Sequence, residues 1–151
     1  MTEASPRHCV RFHQHFAAPI KQVFEFMLDH EQFGRIWPGA FRRIQDAPAG
    51  TNPNGLGSVR EIRIGPIRFE ETIVTCEPHS LIEYRVTRGS PIRNHLGRMA
   101  FSAVGNGTEL DYVIRFDARI PCTGRLIENS LVRDWNRGIA SIVAELEAAA
   151  G

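Results

Sequence analysis

The sequence between residues 41 and 118 contains about six strand-like runs separated by turn signals, and this pattern constrains the fold most strongly. The turn signals lie at residues 48–57, 65–66, 77–78, 89–91 and 105–107. Short connections of this kind join antiparallel neighbours, so the pattern predicts a meander. Gly65-Pro66 is expected to be the only tight turn, which would make the strands around it a hairpin.

The last of these runs predicts that one face of the sheet is apolar. Its apolar residues alternate with polar ones, Val113 being the exception, and they are Leu110, Tyr112, Ile114 and Phe116. Such a face must be covered. After Pro121 the sequence predicts one long helix whose apolar stripe consists of Leu131, Trp135, Ile139, Ile142 and Leu146. We expect this helix to lie across the apolar face of the sheet.

The N-terminal part predicts a strand followed by two short helices. In the strand, Val10, Phe12, Gln14 and Phe16 alternate with Arg11, His13 and His15. The first helix is expected to begin at Pro19. The second, at about residues 30–36, should end before Trp37-Pro38, because a residue that precedes proline resists the helical conformation. The whole order predicts an α+β protein.

Composition excludes several classes of function. The 151 residues are 42% hydrophobic and carry a net charge of +1, which favours a single domain over residues 1–151 and argues against nucleic-acid binding or membrane insertion. Cys9, Cys76 and Cys122 show neither disulfide nor zinc spacing. No segment has the length and apolar character of a signal or a membrane span, so we expect a cytoplasmic protein. Whether it is a monomer or a homodimer is left open.

Two local patterns could indicate a cofactor, and neither is sufficient. Gly55 and Gly57 suggest a phosphate loop, but a strand rather than a helix follows them, and Arg60 stands where a third glycine would be needed. His13 and His15 share one face of a strand, yet no third metal ligand is evident. The sequence therefore predicts no cofactor and no metal, with both histidines exposed.

Particular motifs, in this order, resemble the helix-grip fold of the START/Bet v 1-like (SRPBCC) superfamily, in its polyketide cyclase/dehydrase branch. The motifs are AAPIKQVFEFMLD, Trp37-Pro38, GLGSVREIRIG, EETIVTCEPHSLIEYRV and GTELDYVIRF, which precedes the long helix. The resemblance implies a curved, antiparallel, seven-stranded sheet around a long C-terminal helix, with two short helices after the first strand. It also implies a cavity between sheet and helix that binds a hydrophobic or amphipathic small molecule, such as a lipid or a polyketide-like compound.

Alternation along the strand at residues 59–64 raises the question of where Arg60 points. If Ile62 and Ile64 face inward, Arg60 faces inward with them and needs a buried partner, for which Glu71 on the next strand is the candidate. The strands SVREI and EET look like those of plant abscisic acid receptors, where the position matching Glu71 lines the hormone cavity. The alternative is that Arg60 reaches the rim and Glu71 faces water.

A second resemblance points to chemistry. The segments GSVREIRI and SPIRNHLGRMAF resemble strands of bacterial aromatase/cyclases, and the matching residues are Arg60 and His95. The resemblance implies a polyketide cyclase or dehydratase, in which Arg60 would steady an enolate and His95 would move a proton. Those enzymes also use a carboxylate near the C-terminal helix, for which both Glu128 and Asp134 are candidates. Enzyme and carrier thus both stay open, as does a ligand-gated interaction domain.

Thirteen residues are expected to contact the ligand. They are Arg60, Ile62, Ile64, Phe69, Glu71, Tyr84, Val86, His95, Tyr112, Ile114, Phe116, Trp135 and Ile139. For the tyrosines, Trp135 and Ile139, ordinary core packing is the competing interpretation. The identity of the ligand is not specified by the sequence.

Overall fold

A computed structural model describes residues 4–151 and contains the predicted order of elements. The elements are β1 (His8–Phe16), α1 (Ile20–Leu28), α2 (His30–Gly34), β2 (Ala40–Gln45), β3 (Val59–Ile64), β4 (Ile67–Glu77), β5 (Leu81–Arg88), β6 (Ile92–Val104), β7 (Gly107–Ala118) and α3 (Gly124–Ala150). The α+β helix-grip prediction is confirmed.

The seven strands form one curved antiparallel sheet in the order β1-β7-β6-β5-β4-β3-β2. β1 and β2 therefore lie at opposite edges, and α1 and α2 carry the chain from one edge to the other. Register shifts interrupt β4 near Glu70 and Ile73, and β6 between Arg93 and Leu96. Irregularities of this kind bend strands and increase their twist, which accounts for curvature in the middle of the sheet.

The concave face of the sheet packs on α3. Four residues of the predicted helix stripe are buried, namely Trp135, Ile139, Ile142 and Leu146. They join one hydrophobic core with the inward residues of β1 and β7, among them Val10, Phe12, Leu110 and Phe116. Leu131 is only partly buried, because it lines a cavity between the sheet and this part of α3. No helix within residues 4–151 is long and apolar enough to cross a membrane.

The turns agree with the sequence except at one place. Ile64 pairs with Ile67, so Gly65-Pro66 closes the expected hairpin. Val104 also pairs with Gly107, however, which leaves only Gly105 and Asn106 in a second tight turn. The prediction of a single tight turn is therefore wrong. Gly105 adopts a φ of +58°, a conformation that glycine accepts without strain and that suits a two-residue hairpin.

The segment after α1 positions two rings that matter for the site. Asp29 caps α2, because its Oδ1 accepts hydrogen bonds from the backbone N–H groups of Glu31 and Gln32, each at 3.0 Å. α2 ends at Gly34, slightly earlier than expected, and a tighter turn continues to Trp37. Phe33 and Trp37 therefore both point toward the interior of the sheet, where their rings contact Tyr112.

Candidate functional site

A cavity of about 120 Å³ lies between the sheet and the first half of α3. Eight of the thirteen residues that were expected to contact a ligand line it, namely Ile62, Ile64, Phe69, Glu71, Tyr84, His95, Tyr112 and Ile114. Glu71, Tyr84, His95 and Tyr112 are buried, whereas Ile64 is 36% exposed. The cavity therefore runs from the partly exposed rim at Ile64 to a polar, buried interior.

The other five expected residues do not line the cavity. Phe116, Trp135 and Ile139 belong to the core, where Trp135 stacks on Phe12 with ring centroids 4.8 Å apart. Val86 contributes its backbone N–H to a hydrogen bond with His95. Arg60 lies behind Phe33 and Tyr84, which are part of the cavity wall. Direct ligand contact by these five residues stays a prediction.

Half of the cavity wall comes from residues that the sequence reasoning did not assign to it. They are Phe33, Trp37, Pro38, Phe41, Ile92, Ile127, Leu131 and Asp134. Most belong to α2, the turn after it, β2 and the first half of α3. The motif Trp37-Pro38 is the sequence signal for this wall, since both residues line the cavity.

Arg60 points inward from β3 and is 1% exposed. Its register partner on β4 is Glu71, and its Nε donates a hydrogen bond to Glu71 Oε1 at 2.8 Å. Glu71 is itself only 7% exposed, so the structure has the inward ion pair rather than the exposed alternative. Removal of one partner of such a pair would leave the other charge buried without compensation.

Aromatic rings and a histidine enclose the rest of the guanidinium group. Its central carbon lies 4.4 Å from the ring centroid of Tyr84, 4.6 Å from that of Phe33 and 5.7 Å from that of Phe41. The π faces of these rings favour the positive charge. Nη1 lies 3.4 Å from Nδ1 of His30, and the buried Nη2 forms no hydrogen bond with any of residues 4–151.

His30 connects Arg60 to the glycine-rich loop. Because Arg60 carries only donors, Nδ1 of His30 is the acceptor, and its Nε2–H donates to Ser58 Oγ at 2.7 Å. Ser58 in turn donates to the carbonyl oxygen of Gly55 at 2.7 Å. Burial and the neighbouring charge of Arg60 lower the pKa of His30 from 6.5 to about 3, so the ring is neutral. The segment GLGS at residues 55–58 thus holds His30, and through it Arg60, by way of the hydroxyl group of Ser58.

His95 presents a hydrogen-bond donor to the cavity. Its Nδ1 accepts the backbone N–H of Val86 at 3.0 Å, so in the neutral ring the proton is on Nε2. Burial, followed by the charge of Arg60, lowers the pKa of His95 from 6.5 to about 3. Nε2 lies 3.9 Å from Glu71 Oε2, which is too far for a direct hydrogen bond.

Glu71 presents the complementary acceptor. Burial raises the pKa of its carboxyl group, and the charge and hydrogen bond of Arg60 oppose that effect. The guanidinium group of Arg60 stays protonated in proteins and would be left without a counterion if Glu71 were neutral. We therefore treat Glu71 as a carboxylate whose Oε1 is held by Arg60 and whose Oε2 is directed at His95.

Two buried tyrosines complete the polar part of the wall. The hydroxyl groups of Tyr84 and Tyr112 are hydrogen-bonded to each other. Burial raises the pKa of both groups, so both stay protonated at neutral pH. Gly97 makes room for the ring of Tyr84, because a Cβ atom at that position would overlap the ring.

The structure separates the two carboxylates that were considered for catalysis. Asp134 lines the cavity. Glu128 lies near the start of β1, where its Oε1 accepts the backbone N–H of Cys9 at 3.3 Å and lies 3.4 Å from His8. His13 and His15 are exposed as expected, and each lies 2.7 Å from Glu109. Within residues 4–151, no group of three or more metal-binding side chains is found.

A curved sheet that wraps a long helix and leaves a cavity between them defines a helix-grip protein. The sequence matches the family described as "Polyketide cyclase / dehydrase and lipid transport" over residues 7–151, and the chain belongs to that family. A search of curated proteins finds no match.

Solved structures show the same fold at low sequence identity. A START superfamily protein from Mycobacterium smegmatis is 14% identical, with a TM-score of 0.75 over 92% of this chain and 99% of that chain. Norcoclaurine synthase from Thalictrum flavum, a point mutant in complex with a transition-state analogue, is 12% identical, with a TM-score of 0.67 over 95% and 98%. Ara h 8.0201 is 11% identical, with a TM-score of 0.65 over 91% and 98%.

The buried pair predicts a strongly non-additive double-mutant cycle. Glu71→Leu leaves Arg60 charged and unpaired, so the free energy of unfolding should fall by about 3–5 kcal/mol. Adding Arg60→Met should recover most of that loss, because an apolar pair of similar volume removes both charges. Urea denaturation of the four proteins measures the coupling. The exposed pair Arg35 and Glu145, changed in the same way, is the control and should show little coupling.

The two neutral histidines predict acid destabilisation. Their pKa values are about 3 in the folded protein and about 6.5 when unfolded, so the unfolded state binds more protons between these values. The free energy of unfolding should therefore fall as the pH is lowered below about 6.5, by at most about 1.4 kcal/mol per pH unit for each histidine. The raised pKa of Glu71 opposes part of this effect above 4.5.

Denaturation at pH 7.5, 6.5 and 5.5 tests this dependence. His95→Asn keeps an acceptor for the N–H of Val86 and should reduce the slope by about one proton. His79→Asn, the same substitution at an exposed histidine, is the matched control. Equal slopes for wild type and His95→Asn would contradict the assignment of His95 as a buried neutral ring.

Proposed function

We propose that this protein binds a small, mostly apolar molecule in the cavity between its sheet and α3. The observation that carries the proposal is an apolar cavity whose wall also contains two polar atoms of buried residues, Glu71 Oε2 and His95 Nε2, which form no hydrogen bond within residues 4–151. Binding sites for small molecules typically combine an apolar lining with a few placed polar groups. Membership of a family described by cyclase, dehydrase and lipid-transport activities supports the same proposal.

The size of the cavity limits what it can hold. Typical sites for drug-sized ligands have volumes of about 300–1,000 Å³, whereas this cavity has about 120 Å³. A complete lipid or a multi-ring polyketide does not fit this volume. The ligand is therefore a small molecule, or one end of a longer molecule that emerges past Ile64 at the rim.

Binding predicts thermal stabilisation that depends on the open cavity. A ligand present at 100 times its Kd should stabilise the folded state by about 2.7 kcal/mol, which raises Tm by roughly 5–10 °C for a chain of this size. Leu131→Trp should abolish the shift, because the larger side chain would fill the cavity. A panel of single-ring aromatics, short alcohols and short fatty acids, measured by differential scanning fluorimetry, provides the test.

Leu126→Trp is the matched control, since Leu126 is on the same helix but 67% exposed. It should keep the shift seen with the wild-type protein. Absence of any shift across the panel, or the same shift in Leu131→Trp, would contradict binding at this cavity.

A second candidate function is acid–base chemistry on a small carbonyl compound, as in cyclisation or dehydration. It is favoured by the placement of a carboxylate oxygen and an imidazole N–H 3.9 Å apart at the cavity wall. The geometry changes the roles expected from the sequence. His95 is a hydrogen-bond donor and would stabilise an enolate oxygen, whereas Glu71, whose pKa is raised by burial, would accept the proton from carbon. Arg60 would act through Glu71.

Proton exchange at carbon tests this chemistry without knowledge of the natural substrate. In D₂O, the wild-type protein should accelerate exchange of the methyl protons of acetophenone, as followed by ¹H NMR. Glu71→Gln should lower the rate at least tenfold, since it removes the base. Glu70→Gln is the control, because Glu70 pairs with Arg88 on the other face of the sheet. An enzyme rate equal to that of buffer, or one unaffected by Glu71→Gln, would rule out this mechanism.

A further inference from the structure

The polar end of the cavity has a fixed hydrogen-bonding pattern. Glu71 Oε2 accepts and His95 Nε2–H donates, and no hydrogen bond within residues 4–151 uses either atom. Their separation of 3.9 Å allows one oxygen atom to lie within ordinary hydrogen-bond distance of both. That atom must donate to the carboxylate and accept from the imidazole at the same time.

Few chemical groups satisfy both atoms. A ketone or ether oxygen placed between the two atoms accepts from His95, but its lone pairs face the carboxylate of Glu71. An ammonium group donates to Glu71, but it has no acceptor for His95 and lies near the charge of Arg60. A ligand carboxylate is repelled by Glu71. A hydroxyl group is both donor and acceptor, is neutral, and leaves the Arg60 and Glu71 charges balanced.

The side chains around Glu71 Oε2 and His95 Nε2 favour a ligand whose hydroxyl group is attached to a flat ring. Phe33, Trp37, Phe41, Tyr84 and Tyr112 contribute aromatic side chains to the wall. Aromatic rings pack on one another in stacked or edge-to-face arrangements that add to the burial of apolar area. A dry apolar cavity of about 150 Å³ is known to hold benzene, and this cavity, at about 120 Å³, is comparable.

We propose that the site recognises a hydroxyl group on a single-ring compound, so that the ligand class is a small phenol or a hydroxyl compound of similar size. This inference rests on the proposed binding function and adds the chemistry of the group that is bound. When another group replaces the hydroxyl, either Glu71 Oε2 or His95 Nε2 is left without a hydrogen-bond partner. These two residues therefore determine the specificity of the site. Burial of an unsatisfied polar group is costly, which is why such sites discriminate strongly.

Three matched probes test directly whether the site recognises the hydroxyl group. They are 4-methylphenol, para-xylene, in which a methyl group replaces the hydroxyl, and 4-methylanisole, in which the hydroxyl is methylated. Isothermal titration calorimetry should give a Kd for 4-methylphenol at least tenfold lower than for either of the others. The ¹⁵N resonance of His95 Nε2 should shift on addition of 4-methylphenol and stay in place with para-xylene.

Two variants test whether His95 and Glu71 cause the preference for 4-methylphenol. His95→Asn keeps the acceptor for the N–H of Val86 but removes the donor, and Glu71→Gln keeps an oxygen for Arg60 but converts the acceptor into a donor. Each should reduce the preference for 4-methylphenol over para-xylene to less than threefold. Glu70→Gln should leave it at tenfold or more, because Glu70 pairs with Arg88 on the opposite face.

The outcomes separate this inference from the proposed function. Equal affinities for the three probes would overturn hydroxyl recognition while leaving cavity binding intact. No binding of any probe up to its solubility limit would overturn both. A preference for 4-methylphenol that persists unchanged in His95→Asn and in Glu71→Gln would overturn the assignment of these two residues.

Discussion

The buried charge of Arg60 is the constraint on which the site depends. A guanidinium group that is 1% exposed requires a counterion, and the antiparallel register of β3 and β4 places Glu71 directly opposite. The same charge accounts for the nearby rings of Phe33 and Tyr84, whose centroids lie 4.6 Å and 4.4 Å from the guanidinium carbon, since aromatic faces favour a cation. The ion pair thus links β3, β4 and the wall of the cavity.

The charge of Arg60 also determines the polarity of the cavity. It adds to burial in lowering the pKa of both His30 and His95, so neither ring carries a proton on both nitrogens. His95 is left with one acceptor, which the backbone of Val86 uses, and one donor, which faces the cavity. Glu71 stays an acceptor because Arg60 needs its charge. The donor and acceptor that face a ligand are therefore consequences of one buried cation.

The sequence predicted the parts of the structure that depend on periodicity. Alternation in β3 correctly placed Arg60 and Ile62 inside, and the order of elements together with the resemblance predicted the helix-grip fold. Periodicity assigns a side chain to a face but not to a depth along that face. Phe116 and Ile114 share a face of β7, yet only Ile114 lines the cavity, because Phe116 is covered completely by its neighbours, among them the ring of His8.

The part of the cavity wall that the sequence did not predict, formed by α2 and the turn after it, is positioned by close backbone contacts. These contacts also limit the size of the ligand. A Cβ atom at Gly34 would overlap Phe41, and one at Gly138 would overlap the carbonyl oxygen of Ile36. The absence of side chains at these two glycines lets α2 and the following turn approach β2 and α3. Phe33 and Trp37 are carried inward with them and occupy space that a larger ligand would need. The small volume of the cavity therefore follows from the same packing that positions the rings around Arg60, and a larger ligand would have to displace that packing.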